Sequence, residues 1–352
     1  MATASLVLRA GPAARRRLEQ QGFQPDAFST LVGASGGPKW LVLSQLDRIL
    51  VRRLLAPRTR PLDLLGSSIG TFRHAAFAQR DPHAALARLE ESYIEQSYRE
   101  GRRPSPEEVS SETRRIHLAM LGEDGAREIV ENPLLRSHVV TARLRGREAD
   151  RGMAFRLGLG AAALANALSR RLLAGFFERV VFASPGGGLK MGGQSTPLTA
   201  DNLGDAILAS GSIPLVMAGV PRPPGAPRGT YFDGGIIDYH FDFEFTRATG
   251  GDGLVLFPHF FDRITPGWFD KPLRWRRPRA SALDRVVLLA PSDAFVASLP
   301  GGKVPDRRDF EALRTAERQR RWREVVARCE SLVSELEALL EDPSGRAQPF
   351  IV

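Results

Sequence analysis

The chain has a single cysteine, Cys329, so no disulfide can form within it, and a reducing compartment is the expected setting. It has no apolar run near the ~20 residues that a membrane-spanning helix requires. The longest candidate, residues 157–168, contains Asn166 and lies between Arg156 and Arg170. The N-terminal run Ala4-Ser5-Leu6-Val7-Leu8 is too short for the core of a signal peptide, and its arginines follow it rather than precede it. The expectation is a cytoplasmic protein, peripheral to a membrane at most. There is no internal repeat, no zinc-finger spacing, no RNP-type aromatic motif and no heptad zipper. Charge alone speaks for nucleic acid, and no nucleic-acid partner is expected.

What is present suits a large folded core. Of 352 residues, 43% are hydrophobic and 25% charged, ordinary values for a globular protein. That length fits two domains, or one large α/β domain with extensions. The formal net charge of +9 draws the protein toward polyanions, either nucleic acid or anionic lipid.

Short continuous apolar runs alternate with stretches of helical spacing. Strands are expected over 31–32, 62–65, 138–142, 179–182, 254–257 and 286–289. Helices are expected over 40–55, with Pro38 in the first helical position, then from Phe72, through the polar stretch 82–132, and over 153–177. A further helix is read over 201–217, opening on an Asp cap, and one long amphipathic helix or two over 308–340. Continuous apolar strands alternating with helices define an α/β protein with a largely parallel sheet.

Two stretches match G-x-S-x-G: residues 33–37 with Ser35 at the centre, and residues 66–70 with Ser68. Such a turn lets a strand pass sharply into a helix and presents the serine hydroxyl at the apex. A nucleophilic serine also needs a base and N–H donors for the oxyanion. Gly36 and Gly37, at the start of a helix and close to Lys39, suit the donor role, which leaves Ser68 as the better nucleophile. None of the histidines (His74, His83, His117, His138, His240, His259) sits in a recognisable catalytic motif. Asp233, in Tyr231-Phe232-Asp233-Gly234-Gly235, is the other candidate base, although Asp-Gly is also a hairpin-turn signal.

Taken in order, the glycine loop with its lysine, the G-x-S-x-G and the distant Asp-Gly-Gly resemble the patatin-like phospholipases. That family pairs a Ser–Asp dyad with an oxyanion loop of the form D-G-G-G-x-R/K-G. By this resemblance Ser68 matches the nucleophile and Asp233 the dyad aspartate. Gly36 and Gly37 match the middle glycines of the loop, and Lys39 its basic residue. The stretch Ala209-Ser210-Gly211-Ser212-Ile213-Pro214 resembles the Ala-Ser-x-x-x-Pro that the family carries upstream of its aspartate. Ala34, Ser35 and Trp40 depart from the loop pattern. The resemblance covers about residues 27–240.

It implies a three-layer α/β/α patatin-like fold with a mainly parallel central sheet. It also implies a lipid acyl hydrolase, of phospholipase or esterase type, that works through a covalent acyl-enzyme and needs no metal or cofactor. The catalytic domain would span 1–245, with a helical insertion near 82–132 and an apolar helical segment at 153–177. Residues 246–352 would form a C-terminal extension that completes the sheet and ends in a long amphipathic helix. Alternatives are a Ser–His–Asp hydrolase using Ser35 or Ser68 with His259, an acyltransferase, and a non-catalytic lipid-binding protein. The substrate would be a lipid or fatty-acyl ester. Aromatic and basic residues interleave over 257–279, where Trp268, Phe269 and Trp275 stand among Lys271, Arg274, Arg276 and Arg277, and peripheral contact with an anionic membrane is expected there.

Overall fold

The structure is a computed structural model that describes residues 4–99, 101–146, 152–187 and 189–350. Residue 100, inside the helical stretch expected over 82–132, lies outside the described residues. The strands, in chain order, are β1 (Leu6–Ala10), β2 (Phe28–Gly33), β3 (Leu62–Ser67), β4 (Leu135–Leu144), β5 (Phe177–Ala183), β6 (Gln194–Pro197), β7 (Val220–Pro221), β8 (Thr230–Asp233), β9 (Leu254–Pro258), β10 (Val286–Pro291) and β11 (Ala347–Gln348). They form one sheet in the order β11-β1-β10-β9-β2-β3-β4-β5-β6, with β8 also on β4 and β7 on β8. From β10 through β4 every pairing is parallel. The protein is therefore a mixed α/β fold with a central, mostly parallel sheet flanked by helices.

Sequence and burial agree strand by strand. Every residue of β9 and of β10 is buried, as expected of strands covered on both faces. The strand β1 instead alternates buried and half-buried positions, and it pairs antiparallel with β10. In the sequence the run Leu6-Val7-Leu8-Arg9-Ala10 does not read as a strand, because five residues with an arginine among them carry too little pattern.

The helices before the last part of the chain are α1 (Pro12–Gln21), α2 (Ser44–Leu50), α3 (Ile69–Phe77), α4 (Pro82–Glu95), α5 (Pro106–Leu121), α6 (Gly125–Glu131), α7 (Met153–Leu168) and α8 (Ala200–Gly211). Two sequence expectations need correction. The helix expected over 40–55 is a 3₁₀ segment, Gly37–Leu43, then α2, then a π turn, Val51–Leu55. The helix expected over 201–217 is shorter and is capped by Thr199, whose hydroxyl accepts from the Asn202 N–H in a capping box. Near the C-terminus the amphipathic pattern resolves into two helices, Thr315–Arg328 and Ser331–Glu341.

One buried ion pair pins the helices near the centre. Arg73 on α3 donates to both oxygens of Asp47 on α2, at 2.7 and 2.5 Å. Burial raises the Asp47 pKa and the Arg73 charge opposes that rise. Removing one partner would leave the other buried and unpaired, a loss of about 3–5 kcal/mol.

Candidate active site

The long strand β4 acts as a ruler that brings two distant segments together. On one side β3 runs parallel to it and ends with Ser67 opposite Val140. On the same strand β8 runs antiparallel and ends with Asp233 opposite Thr141. Positions 140 and 141 are neighbours, so the C-terminal ends of β3 and β8 meet head to head. Ser68 and Asp233, far apart in sequence, are delivered to one place by strand register.

Ser68 follows β3 directly and caps α3. Its φ is +54° and its ψ −130°, a region that residues other than glycine rarely occupy. Such a conformation costs on the order of 1–3 kcal/mol and persists only where surroundings hold it. Here they do. The Ser68 N–H donates to the Ser210 hydroxyl at 3.0 Å, and that hydroxyl donates in turn to the Val140 carbonyl at 2.7 Å. The glycines around Ser68 permit a close crossing of helix and strand. A Cβ at Gly70 would lie 2.0 Å from the Gly33 carbonyl oxygen.

Asp233 is buried, and burial raises its carboxyl above the ordinary value; hydrogen bonds from the Ser68 hydroxyl and the Gly235 N–H oppose that rise, as do the charges of Arg307 and Lys271. Its oxygen accepts the Gly235 N–H at 2.7 Å, and its own N–H donates to the Ser212 carbonyl at 2.8 Å. The stretch from Ser210 to Ser212 therefore grips both residues, Ser68 through a side chain and Asp233 through the backbone. The sequence marks that stretch only by resemblance; the contacts give it a physical role.

Ser35, Gly36, Gly37 and Lys39 line the same pocket as Ser68 and Asp233. Gly37 has φ +55°, and a Cβ at Gly36 would meet the Phe260 ring at 2.5 Å, so both positions require glycine. Ser35 is differently employed. Its hydroxyl donates to the Ser67 hydroxyl at 3.0 Å and its N–H to the Tyr239 carbonyl at 3.0 Å.

Sequence reasoning missed two pocket cations, Arg307 and Lys271. Lys271 was read as part of a membrane-facing segment. Its amine stands over the Tyr239 ring at 4.0 Å. Burial of the amine, then the nearby charges of Lys39 and Arg307, lower its pKa to about 7, while Asp233 raises it. The residue as a whole is exposed, so water tempers that loss of hydration. The Lys39 amine is also pushed down by burial, against the pull of Asp306. Three cations thus surround one serine and one buried carboxylate.

No described histidine lines this pocket. His259 is buried, with Nδ1 2.6 Å from the Phe261 carbonyl, and burial lowers its pKa to about 3. Burial likewise holds His240 well below the usual histidine range. Among the described residues no group of three His, Cys, Asp or Glu side chains is gathered as a metal ion would require, and no helix is long and apolar enough to cross a membrane.

No family model matches the chain, and no curated protein matches it. Among solved structures it is similar to human GIVD cytosolic phospholipase A2, with 11% sequence identity and a TM-score of 0.43, over 95% of this chain and 63% of that chain. This chain thus spans less than two thirds of that phospholipase, and the reading of the site rests on its own geometry.

Proposed function

We propose that the chain is a lipid acyl hydrolase that works through a Ser68–Asp233 dyad. The observation that carries this reading is a serine held at φ +54° on a strand-to-helix turn and brought by strand register into one pocket with a buried carboxylate, Asp233. A carboxylate at its free pKa is a weak base, and a raised pKa brings it nearer the working range of a general base.

In this mechanism the Ser68 Oγ attacks the ester carbonyl carbon as Asp233 takes its proton. The carbonyl oxygen becomes an oxyanion and accepts hydrogen bonds from the Gly36 and Gly37 N–H groups. Collapse expels the alcohol, which leaves with the proton from Asp233, and the acyl group remains on Ser68. Water then adds to the acyl-enzyme, giving its proton to Asp233. The second oxyanion collapses, Ser68 leaves with that proton, and the free acid is released. Every group these steps need is a side chain or backbone N–H of this chain.

Lys39, Lys271 and Arg307 favour an ester that carries an anion near the scissile bond, as a phospholipid does. In this reading residues 1–245 are the catalytic unit, and the segment 246–352 contributes Lys271 and Arg307 to substrate recognition. The test is release of free fatty acid from phosphatidylglycerol and from a neutral acylglycerol. Release by the wild type and none by Ser68→Ala supports the proposal, with the anionic ester expected to be the better substrate. Equal release by Ser68→Ala would overturn it.

A further inference from the structure

The helix α7 carries apolar side chains on both its inner and its outer face, and Arg156 and Asn166 are its only polar residues. Its inner face, Phe155, Leu159, Ala162 and Asn166, is buried, and Phe155 stacks on Phe232 next to Asp233 with ring centroids 5.4 Å apart. A helix that is hydrophobic all round is normally covered all round. Here the opposite face is bare. Met153 is 71% exposed, Leu157 67%, Leu164 66% and Leu168 75%. At ~100° per residue these four positions fall within roughly 60° of one another, so they form a single stripe along the helix. Leu172, 51% exposed, follows in the next short 3₁₀ segment.

A second element stands beside this stripe. Arg276 donates to the Asn166 and Ala167 carbonyls at 3.0 and 3.1 Å, at the C-terminal end of α7. Buried Asp270 accepts from Asn166 at 2.7 Å and pairs with Arg170. These bonds fasten the segment around 270–276 against α7. Its next residue outward, Trp275, is 70% exposed. The segment that the sequence suggested as a membrane surface is therefore divided. Phe257 and Phe260 are core, Trp268 and Lys271 line the pocket, Arg276 is structural, and Trp275 faces out.

Among the described residues of α7, the 3₁₀ segment after it and the segment 271–279, all charges carry one sign, and no acidic side chain stands on the exposed stripe. Neither α7 nor the 3₁₀ segment Arg170–Gly175 contains an acidic residue. Arg156, Arg171, Arg274 and Arg277 are exposed, and among the described residues none of them pairs with a carboxylate. Pairing with a second copy through this face would set basic rim against basic rim, which is unfavourable. A bare apolar stripe, a flanking tryptophan and an arginine rim fit the interface of an anionic bilayer, and a helix of 16 residues lies on such a surface rather than crossing it.

We infer that the α7 stripe, together with Trp275, docks the protein on an anionic lipid surface. The inference does not depend on hydrolysis by the neighbouring pocket. Because the segment that holds Trp275 outside also supplies Trp268 and Lys271 to the pocket, docking sets that pocket close to the lipid.

The test is sedimentation with vesicles of phosphatidylcholine alone or mixed with an equal amount of phosphatidylglycerol. Wild type is expected to bind the mixed vesicles at least tenfold better than the neutral ones. The variant Leu157→Gln/Leu164→Gln/Leu168→Gln should lose at least tenfold in binding to the mixed vesicles, while its circular dichroism and its turnover of a small soluble ester stay as in wild type. Tryptophan emission should shift to the blue on binding, and Trp275→Phe should abolish most of that shift. A second variant, Arg156→Glu/Arg274→Glu/Arg277→Glu, guards against misfolding of the first, and it should lose the preference for anionic vesicles. Undiminished binding by both variants would overturn the inference. So would a wild-type dimer that the leucine variant converts to monomer, since the stripe would then be an interface between copies.

Discussion

The pattern G-x-S-x-G occurs twice in this chain, and the two turns end in different work. Ser68 stands at φ +54° between β3 and a regular helix, in one pocket with Asp233 and with its N–H on Ser210. Ser35 stands on a loop that continues into a 3₁₀ segment, and both its hydroxyl and its N–H are committed to neighbouring residues. Even the glycines are divided. Gly33, the first glycine of the Ser35 pattern, is where Gly70 of the Ser68 pattern makes its closest approach. The first turn thus shapes the floor of the second, while Gly36 and Gly37 line the pocket. A five-residue pattern specifies a tight turn; which partner reaches the serine decides whether that turn can carry a nucleophile.

The contrast can be broken most forcefully at the dyad. Ser68→Ala should lower kcat by about 10⁴-fold or more, and Asp233→Asn nearly as much, because the two act as one unit. Asp233→Asn should also be at least as stable as wild type at neutral pH. The sign follows from burial: a carboxyl whose folded pKa is raised opposes folding when ionised, and the amide removes that charge. A melting temperature clearly below wild type would contradict the raised pKa.

A smaller loss is expected at the support of the turn. Ser210→Ala leaves the buried Ser68 N–H without its acceptor, at about 1–3 kcal/mol. If Ser210 positions Ser68, kcat should fall roughly ten- to a hundredfold with KM little changed. Unchanged kcat would mean that the strained conformation is held elsewhere.

The pH profile separates the carboxylate from the cations. Activity needs ionised Asp233, so kcat/KM should fall on the acid side, with a midpoint above the ordinary carboxyl value of 3.8. Lys271 loses its charge as pH rises through about 7. For an anionic ester KM should therefore rise by about fivefold across that range, the ~1 kcal/mol of an ion pair tempered by water. A neutral ester should show no such rise, and Lys271→Met should remove it for the anionic one. Equal alkaline behaviour of both esters would remove Lys271 from substrate recognition.

The smallest effect is expected at the other serine. Ser35→Ala gives up one hydrogen bond to Ser67, about 1 kcal/mol of stability, and should keep kcat within a few-fold of wild type. A loss comparable to that of Ser68→Ala would erase the distinction between the two turns.

Much of the fold was legible because it rests on local pattern. Runs such as Leu254-Val255-Leu256-Phe257 and Val286-Val287-Leu288-Leu289 are continuous and apolar, and both are buried parallel strands. The glycine spacing around Ser68 marked a strand-to-helix turn. What escaped was set by tertiary contact. Nothing local tells which of 49 lysines and arginines turn toward one pocket, so Lys271 and Arg307 were invisible there. Arg276 read as a surface charge because its partners, the carbonyls at the end of α7, are more than a hundred residues away. Asp201 read as the cap of α8 because Thr199 is an equally good cap two positions earlier, and only the capping box decides between them. Strand register is the largest omission. The meeting of Ser68 and Asp233 depends on where β3 and β8 end along β4, and no short motif encodes that.

Activation of one of the two look-alike serines, and not the other, can be read chemically. Labelling the folded protein with a fluorophosphonate, followed by mapping of the modified peptide, tests it most directly. One label per chain is expected, on Ser68, lost in Asp233→Asn and retained in Ser35→Ala and His259→Gln. Label on Ser35, or label on Ser68 that survives Asp233→Asn and disappears in His259→Gln, would contradict it.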